Sequence, residues 1–184
     1  MVLKAEIMSS EDMRRALKRM SHQILEKNQG ADNLVFLGIR RRGLPLAKTL
    51  ASNIKSIEGV DVPIGEIDIT LYRDDISNAP NKVEDSDTSQ ITDIQLPFDI
   101  SGKTVILVDD VIFTGRTVRA ALDATSKLGR AACIQLAVLV DRGHRELPIR
   151  PDYVGKNVPT SHSEMIAVHV TEIDGDEGVK LYGD

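Results

Sequence analysis

The sequence predicts an α/β fold with a doubly wound, mostly parallel sheet. Short, wholly apolar segments at 34–39, 104–108 and 134–140 are typical of strands that are buried on both faces. Segments with helical spacing separate these strands, which is the pattern of a parallel sheet covered by helices. The chain has 184 residues, the size of one ordinary domain, so we expect a single domain over residues 1–184.

The spacing of apolar residues predicts the first four elements. Apolar residues three or four positions apart predict an amphipathic helix over residues 11–28, which Gly30 ends. The run 34–39 is the first strand, and a second helix extends over residues 44–54. Alternation of apolar and polar residues from 64 to 71 predicts another strand.

The second half of the chain continues the alternation. After the strand at 104–108, apolar residues on one face predict a helix over residues 118–125, and the strand at 134–140 follows. Two short late strands are predicted at 165–170 and 179–182. Because ligands bind at the carboxyl ends of the strands in such folds, we expect the functional residues there.

Charge is distributed unevenly along the chain. The net charge is −5, but residues 74–99 hold seven acids against one base, and residues 172–184 hold five acids against one base. The remainder is basic, so the negative net charge argues only weakly against a nucleic-acid partner. The long polar connection at 73–100 is of a kind that is usually functional or mobile.

The composition excludes several classes of protein. No segment approaches the roughly 20 apolar residues that a membrane-spanning helix needs, and we expect no secretory signal at the N-terminus. The single cysteine, Cys133, excludes an internal disulfide and a multi-cysteine metal site. Because its neighbours are apolar, we expect Cys133 to be buried. These features favour a reducing, cytoplasmic location.

The most informative segment is Val105–Thr117, which reads VILVDDVIFTGRT. A buried strand leads into two adjacent carboxylates, Asp109 and Asp110, and Thr114–Thr117 then begins a helix. Free N–H groups at a helix start, two hydroxyls and a glycine make a phosphate site. The carboxylates would bind sugar hydroxyls or share a Mg²⁺ with the ligand. A capped helix after a polar turn is the alternative, but the complete string favours a site for a ribose 5-phosphate.

A basic turn follows the first predicted strand. The turn at 38–43 carries Arg40, Arg41 and Arg42 between two glycines. Three guanidinium groups after a buried strand can bind a polyanion, because each can donate two parallel hydrogen bonds. A solvated basic turn is the competing interpretation.

The segment 105–117 resembles the phosphoribosylpyrophosphate (PRPP) signature of the type I phosphoribosyltransferases. Residues 136–160 resemble one branch of that family, the bacterial pyrimidine operon regulators, and the resemblance extends to residues 14–17, 38–43 and 65–75. Members of this branch are mRNA-binding attenuators that also have uracil phosphoribosyltransferase activity. The family further implies a flexible lid, a small base-binding hood, and homodimers or larger homo-oligomers.

The implied reaction joins uracil to PRPP and gives UMP and pyrophosphate. By resemblance, Asp109 and Asp110 hold the ribose hydroxyls, Arg40–Arg42 form the pyrophosphate loop, and Mg²⁺ is held mainly by PRPP and water. Arg73 would close the lid over pyrophosphate as a third catalytic residue, with a lone surface arginine as the alternative. The 5-phosphate and adjoining ligand atoms would contact one continuous segment: Val111, Ile112, Phe113, Thr114, Gly115, Arg116 and Thr117.

The resemblance places the uracil site after the strand at 134–140. The candidates are Asp141, Arg142 and the backbone near Val158. Either Arg142 meets a carbonyl oxygen of the base, or Asp141 orients Arg142. Purine-specific relatives carry an acid at the position of Phe113 and a lysine at that of Asp141, so both differences favour uracil over a purine.

Basic residues suggest an RNA surface. Arg14, Lys18 and His22 lie four residues apart on one face of the first predicted helix, which without the resemblance would be interpreted as a solvated face. With the resemblance, this face is expected to bind a hairpin of a pyrimidine operon leader mRNA when UMP occupies the active site. Further candidate contacts are Arg145, Arg150 and Lys156. The alternatives are a purine salvage enzyme without an RNA role, and an RNA-binding regulator whose site only senses nucleotide.

Overall fold

The computed structural model describes residues 1–70 and 96–184. The predicted lid and Arg73 therefore lie outside the described residues. In chain order the elements are β1 (Val2–Met8), α1 (Ser10–Asn28), β2 (Leu34–Ile39), α2 (Gly43–Glu58), β3 (Ile64–Ile67), β4 (Thr104–Ile112), α3 (Arg116–Leu128), β5 (Cys133–Asp141), β6 (Tyr153–Asn157), β7 (Met165–His169), α4 (Thr171–Asp174) and β8 (Gly178–Gly183).

Two sheets form the framework. Five parallel strands lie in the order β3-β2-β4-β5-β6, and three antiparallel strands lie in the order β1-β8-β7. Phe36 and Ile106 pack with α1 and α2 on one face of the parallel sheet, while Val35 and Leu107 pack with α3 on the other. Helices cover both faces, so the prediction of a doubly wound, mostly parallel sheet is confirmed.

The start of α1 is a reciprocal cap. The hydroxyl of Ser9 accepts a hydrogen bond from the backbone N–H of Asp12 at 3.2 Å, and the Asp12 carboxylate accepts one from the backbone N–H of Ser9 at 3.0 Å. Two N–H groups that a helix start leaves without intrahelical acceptors are satisfied in this way. Met13 and Leu17 then direct the apolar face of the helix into the core, which leaves its basic face outside.

Strand β4 is longer than the predicted strand at 104–108. It continues to Ile112, because its last residues pair with β5 as far as Ile112 opposite Asp141. Ladder hydrogen bonds in the centre of the sheet outweigh the low strand propensity of aspartate. Pairing with β2 ends at Gly38 opposite Val108, so the carboxylate pair lies on a part of β4 that extends beyond its other neighbour.

Several elements differ from the prediction. The strands β1 and β6 and the short helix α4 were not predicted. Strand β3 ends at Ile67, whereas the strand predicted at 64–71 was longer, and residue 71 lies outside the described ranges. The prediction that Cys133 is buried is wrong, because it is the first residue of β5 and the strand enters the core only at Gln135. Within residues 1–70 and 96–184, no helix has the length and apolar character needed to cross a membrane.

Candidate functional site

Two adjoining cavities lie at the carboxyl end of β4. The first, about 430 Å³, is lined by residues 111–118 and Glu146. The second, about 490 Å³, lies between the arginine turn 40–42 and the carboxylates of Asp109 and Asp110. Val111 and Thr117 line both, so the predicted phosphate turn, carboxylate pair and basic turn surround one continuous space. This is the edge at which a parallel sheet of this kind binds its ligands.

The turn before α3 is fixed by the loop after β5. Gly115 is the N-cap of α3 with a φ of 95°, a left-handed conformation that favours glycine. The carbonyl oxygen of Thr114 accepts hydrogen bonds from the backbone N–H groups of Glu146 at 2.9 Å and Leu147 at 3.2 Å. The guanidinium of Arg116 is paired with the Glu146 carboxylate at 2.7 Å. The first N–H groups of α3 have no acceptor within the helix, so this rigid turn can bind an anion.

The carboxylate pair is held by backbone hydrogen bonds. Asp109 is buried, and its Oδ1 accepts a hydrogen bond from the backbone N–H of Asp110 at 2.9 Å. Asp110 Oδ1 accepts one from the backbone N–H of Val111 at 2.8 Å. Burial raises the pKa of Asp110, and the hydrogen bond from Val111 and the charge of Arg42 oppose that rise. A ligand that donates hydroxyl groups would stabilise these desolvated carboxylates.

The basic turn packs tightly against β4. A Cβ atom on Gly43 would overlap the carbonyl oxygen of Val108, so only glycine allows this approach. The three arginines do not have equal freedom. Arg40 pairs with Asp68 at 2.9 Å, and Arg42 pairs with Asp174 at 2.7 Å. Arg41 is exposed and forms no ion pair with any residue that the structure describes.

Arg142 is a buried clamp. Its Nε donates to Thr160 Oγ1 at 3.0 Å, and its Nη2 donates to the carbonyl oxygens of Ser161 at 3.0 Å and Glu164 at 2.7 Å. The guanidinium carbon lies 4.1 Å from the centroid of the Phe113 ring. Burial lowers the pKa of Arg142. These contacts join the loop 160–164, which the sequence did not indicate, to the edge of the phosphate cavity.

Asp141 does not orient Arg142, so that alternative is wrong. Its Oδ2 lies 2.5 Å from Arg145 Nη2, and its Oδ1 accepts a hydrogen bond from the backbone N–H of Gly143 at 3.0 Å. Its carbonyl oxygen accepts one from the backbone N–H of Val158 at 2.8 Å. Asp141 therefore connects the end of β5 to the loop that follows and to the end of β6.

An aromatic cluster lies beside the cavity. The Phe113 ring centroid is 5.7 Å from that of His144 and 6.4 Å from that of His162, and the two imidazoles are 3.9 Å apart. No pattern in the sequence indicated His162, because its contacts join two loops that are adjacent only in the folded protein. A flat apolar surface next to a phosphate site can pack against a planar heterocycle.

The structure divides the six candidate RNA residues into two groups. Arg14, Lys18 and His22 are exposed on one face of α1, and Arg150 and Lys156 are exposed as well. Lys156 belongs to β6, which is joined to α1 by hydrogen bonds from the Arg19 guanidinium to backbone carbonyls of β6. Arg145 points inward instead, donating to the carbonyl oxygens of Ile149 at 3.0 Å and Phe113 at 2.9 Å. The structure therefore does not place Arg145 with the others.

The sequence matches the phosphoribosyl transferase domain family over residues 5–172. The chain belongs to the phosphoribosyltransferase family. Its fold is similar to that of a hypoxanthine-guanine phosphoribosyltransferase from Bacillus anthracis, with a TM-score of 0.73, 21% identity, and coverage of 98% of this chain and 99% of that one. A hypoxanthine phosphoribosyltransferase from Trypanosoma cruzi is similar with a TM-score of 0.72 and 17% identity, covering 98% and 97%. At this level of identity the likeness concerns the fold.

Relatives of much higher identity belong to one branch of the family. A protein of Pelotomaculum thermopropionicum is 58% identical over 97% of this chain and 95% of its own length. One from Oceanobacillus iheyensis is 55% identical over 97% of both, and one from Clostridium perfringens is 54% identical over 99% of both. All three are named bifunctional protein PyrR. These relatives confirm the resemblance to the regulatory branch of the family.

Proposed function

We propose that this protein is bifunctional: a uracil phosphoribosyltransferase that makes UMP and pyrophosphate from uracil and PRPP, and a UMP-responsive, mRNA-binding attenuator of pyrimidine biosynthesis genes. The arrangement of the two adjoining cavities is the main support for the enzymatic activity. Together they are bounded by the start of helix α3, a carboxylate pair and a basic turn. These three groups match the phosphate, the diol and the pyrophosphate of PRPP. The high identity to proteins named bifunctional supports the two-part function.

PRPP would lie across both cavities. Its 5-phosphate accepts hydrogen bonds from the backbone and hydroxyls of residues 114–117, and its ribose hydroxyls donate to Asp109 and Asp110. Its pyrophosphate faces the turn 40–42, where Arg40 and Arg41 are both exposed and Arg41 forms no ion pair with any described residue. Arg73, which is outside the described ranges, stays the predicted lid residue over the same group.

Displacement at the anomeric carbon passes through an oxocarbenium-like state, so positive charge develops on the ribose ring. The carboxyl oxygens of Asp109 and Asp110 beside the ring would stabilise that charge. Among residues 1–70 and 96–184, no three His, Cys, Asp or Glu side chains are grouped to hold a metal ion. The carboxylates of Asp109 and Asp110 are oxygen donors of the kind that Mg²⁺ prefers, so they would fit beside a Mg²⁺ that is held mainly by PRPP and water. When bound, Mg²⁺ would neutralise charge on the leaving pyrophosphate.

Uracil would lie against Phe113, near Asp141 at the end of β5 and Val158 directly after β6. Arg142 supports this pocket from behind, since its guanidinium holds the loop 160–164 and the Phe113 ring. The carboxylate of Asp141 is engaged by Arg145, so backbone groups of this region are the better partners for the polar edge of the base.

The RNA surface would combine the exposed face of α1 with β6. Arg14, Lys18, His22 and Lys156 supply phosphate contacts, with Arg150 at the margin. Asp141 at the end of β5 pairs with Asn157 of β6, the strand that carries Lys156. The pairing of these two strands connects the base pocket to the RNA surface, so UMP binding can influence RNA binding. Attenuation acts on nascent mRNA, which places the protein in the cytoplasm. We also propose a homodimer or larger homo-oligomer.

A pyrophosphate-release assay with uracil, guanine and hypoxanthine tests the enzymatic half. Turnover with uracil alone is the expected result, and turnover with a purine instead would favour a salvage enzyme. A gel shift with the pyrimidine leader RNA tests the regulatory half, and UMP should strengthen binding. RNA binding without uracil turnover would leave a regulator whose site only senses nucleotide.

A further inference from the structure

One ion pair joins the basic turn to the antiparallel sheet. Arg42 is the N-cap residue of α2, and Asp174 lies in α4 between β7 and β8. Arg42 Nε donates to Asp174 Oδ2 at 3.2 Å, and Nη2 donates to Oδ1 at 2.7 Å. This is a two-pronged contact between groups that are 132 positions apart in the sequence.

The carboxylate of Asp174 is itself fixed from behind. Its Oδ2 accepts a hydrogen bond from the backbone N–H of Val170 at 2.9 Å, and the backbone N–H of Asp174 donates to the Val170 carbonyl oxygen at 2.8 Å. The Asp174 side chain is only 16% exposed, whereas that of Arg42 is 35% exposed. The hydrogen bonds between the two side chains lower the pKa of Asp174 and raise the pKa of Arg42. These shifts favour the charged form of each group, in spite of the partial burial. Both groups are charged at neutral pH.

Arg42 also lines the cavity that contains the carboxylate pair. A guanidinium has five N–H donors, and the Asp174 contact uses only one on Nε and one on Nη2. The remaining donors, on Nη1 and Nη2, are not used by Asp174. An unrestrained arginine would lose rotamer entropy on binding an anion, whereas a restrained one has already lost it on folding.

We propose that Asp174 is a positioning residue for the pyrophosphate subsite: it holds the Arg42 guanidinium so that its remaining donors meet the diphosphate. The inference rests on the proposed function, since that function assigns the diphosphate to this turn. The opposite role is an autoinhibitory contact, in which the carboxylate competes with the diphosphate for Arg42. The two roles predict opposite changes in affinity when Asp174 is replaced.

Calorimetric titration of the full chain with inorganic pyrophosphate distinguishes them. Asp174→Ala should weaken binding about tenfold, the size expected for one charge-assisted hydrogen bond. Asp174→Asn keeps one acceptor and should lie between wild type and alanine, and it replaces the alanine variant if that one does not fold. Arg42→Ala combined with Asp174→Ala should bind no more weakly than Arg42→Ala alone, because Asp174 acts only through Arg42. The control Asp176→Asn removes a nearby exposed carboxylate that does not contact Arg42 and should leave affinity unchanged.

Tighter or unchanged binding by Asp174→Ala would overturn the inference. So would a double variant that is weaker than Arg42→Ala, or a loss that is seen only when MgCl₂ is present. The titrations are therefore run with and without MgCl₂, and the expected loss is the same in both. Wild-type protein that binds no pyrophosphate under either condition would instead contradict the proposed function, and the inference with it.

Discussion

Replacing Arg142 by Met tests the buried clamp that supports the base pocket. The substitution keeps an unbranched apolar stem but removes three hydrogen bonds, to Thr160 and to the carbonyl oxygens of Ser161 and Glu164. Each is worth about 1 kcal/mol net, and the contact with the Phe113 ring adds roughly 0.5–1 kcal/mol. These contributions amount to about 3.5–4 kcal/mol. Because water can reach the exposed loop 160–164 and replace part of the lost hydrogen bonding, we expect a loss of about 2–4 kcal/mol in the free energy of unfolding.

Urea denaturation measures this loss, and steady-state kinetics measure its functional consequence. KM for uracil should rise more than KM for PRPP, because the Phe113 ring and the loop 160–164 lose their support while the turn 114–117 that would bind the 5-phosphate keeps its contacts with Glu146 and Leu147. Arg130→Met is a matched control, since Arg130 is exposed and its side chain forms no hydrogen bond or ion pair with the residues that the structure describes. Equal stability of Arg142→Met and wild type, or a KM increase for PRPP alone, would refute the reasoning.

Three further variants test other parts of the account. Asp109→Asn combined with Asp110→Asn should reduce UMP formation at least about 100-fold while circular dichroism shows a retained fold. Arg14→Glu combined with Lys18→Glu should weaken RNA binding and lower the slope of log affinity against log salt by about two. Burial raises the pKa of Tyr153 to about 12, so its phenol ionises in the unfolded chain first. Stability is therefore lost between about pH 10 and 12, and Tyr153→Phe should make that loss shallower in alkaline urea titrations.

Each of these results has a clear contrary outcome. Full activity of the variant without the carboxylate pair would contradict the proposal that Asp109 and Asp110 bind the ribose hydroxyls. Lys48→Glu reverses one charge on an exposed face of α2, half the charge change of the double variant. A fall in log RNA affinity that is half as large in this control would therefore indicate a general charge effect rather than a surface on α1. An alkaline stability profile that is unchanged by Tyr153→Phe would show that the phenol does not contribute to it.

Local patterns were sufficient for the central framework. The apolar runs of β2, β4 and β5 are continuous because these strands are covered on both faces, so the sequence identified them without a partner. The three long helices α1, α2 and α3 were predicted for a related reason, since each buries one regularly spaced face. The sequence also indicated the carboxylate pair and the phosphate turn, because they follow one another along the chain.

Pairing between distant residues explains what the sequence did not indicate. Strand β1 is largely exposed and pairs with β8 at the opposite end of the chain, so it carries no alternation of its own. Strand β6 lies at the edge of its sheet and is short and polar. The clamp of Arg142 and the contact between Arg42 and Asp174 join segments that are distant in the sequence and adjacent only in the folded protein.

A crystal structure of the protein with UMP tests the central claim most directly. The account predicts the 5-phosphate at the start of α3, within hydrogen-bonding distance of the backbone of residues 114–117, and the ribose hydroxyls at Asp109 and Asp110. A nucleotide bound elsewhere, with the space at the carboxyl end of β4 still empty, would contradict it.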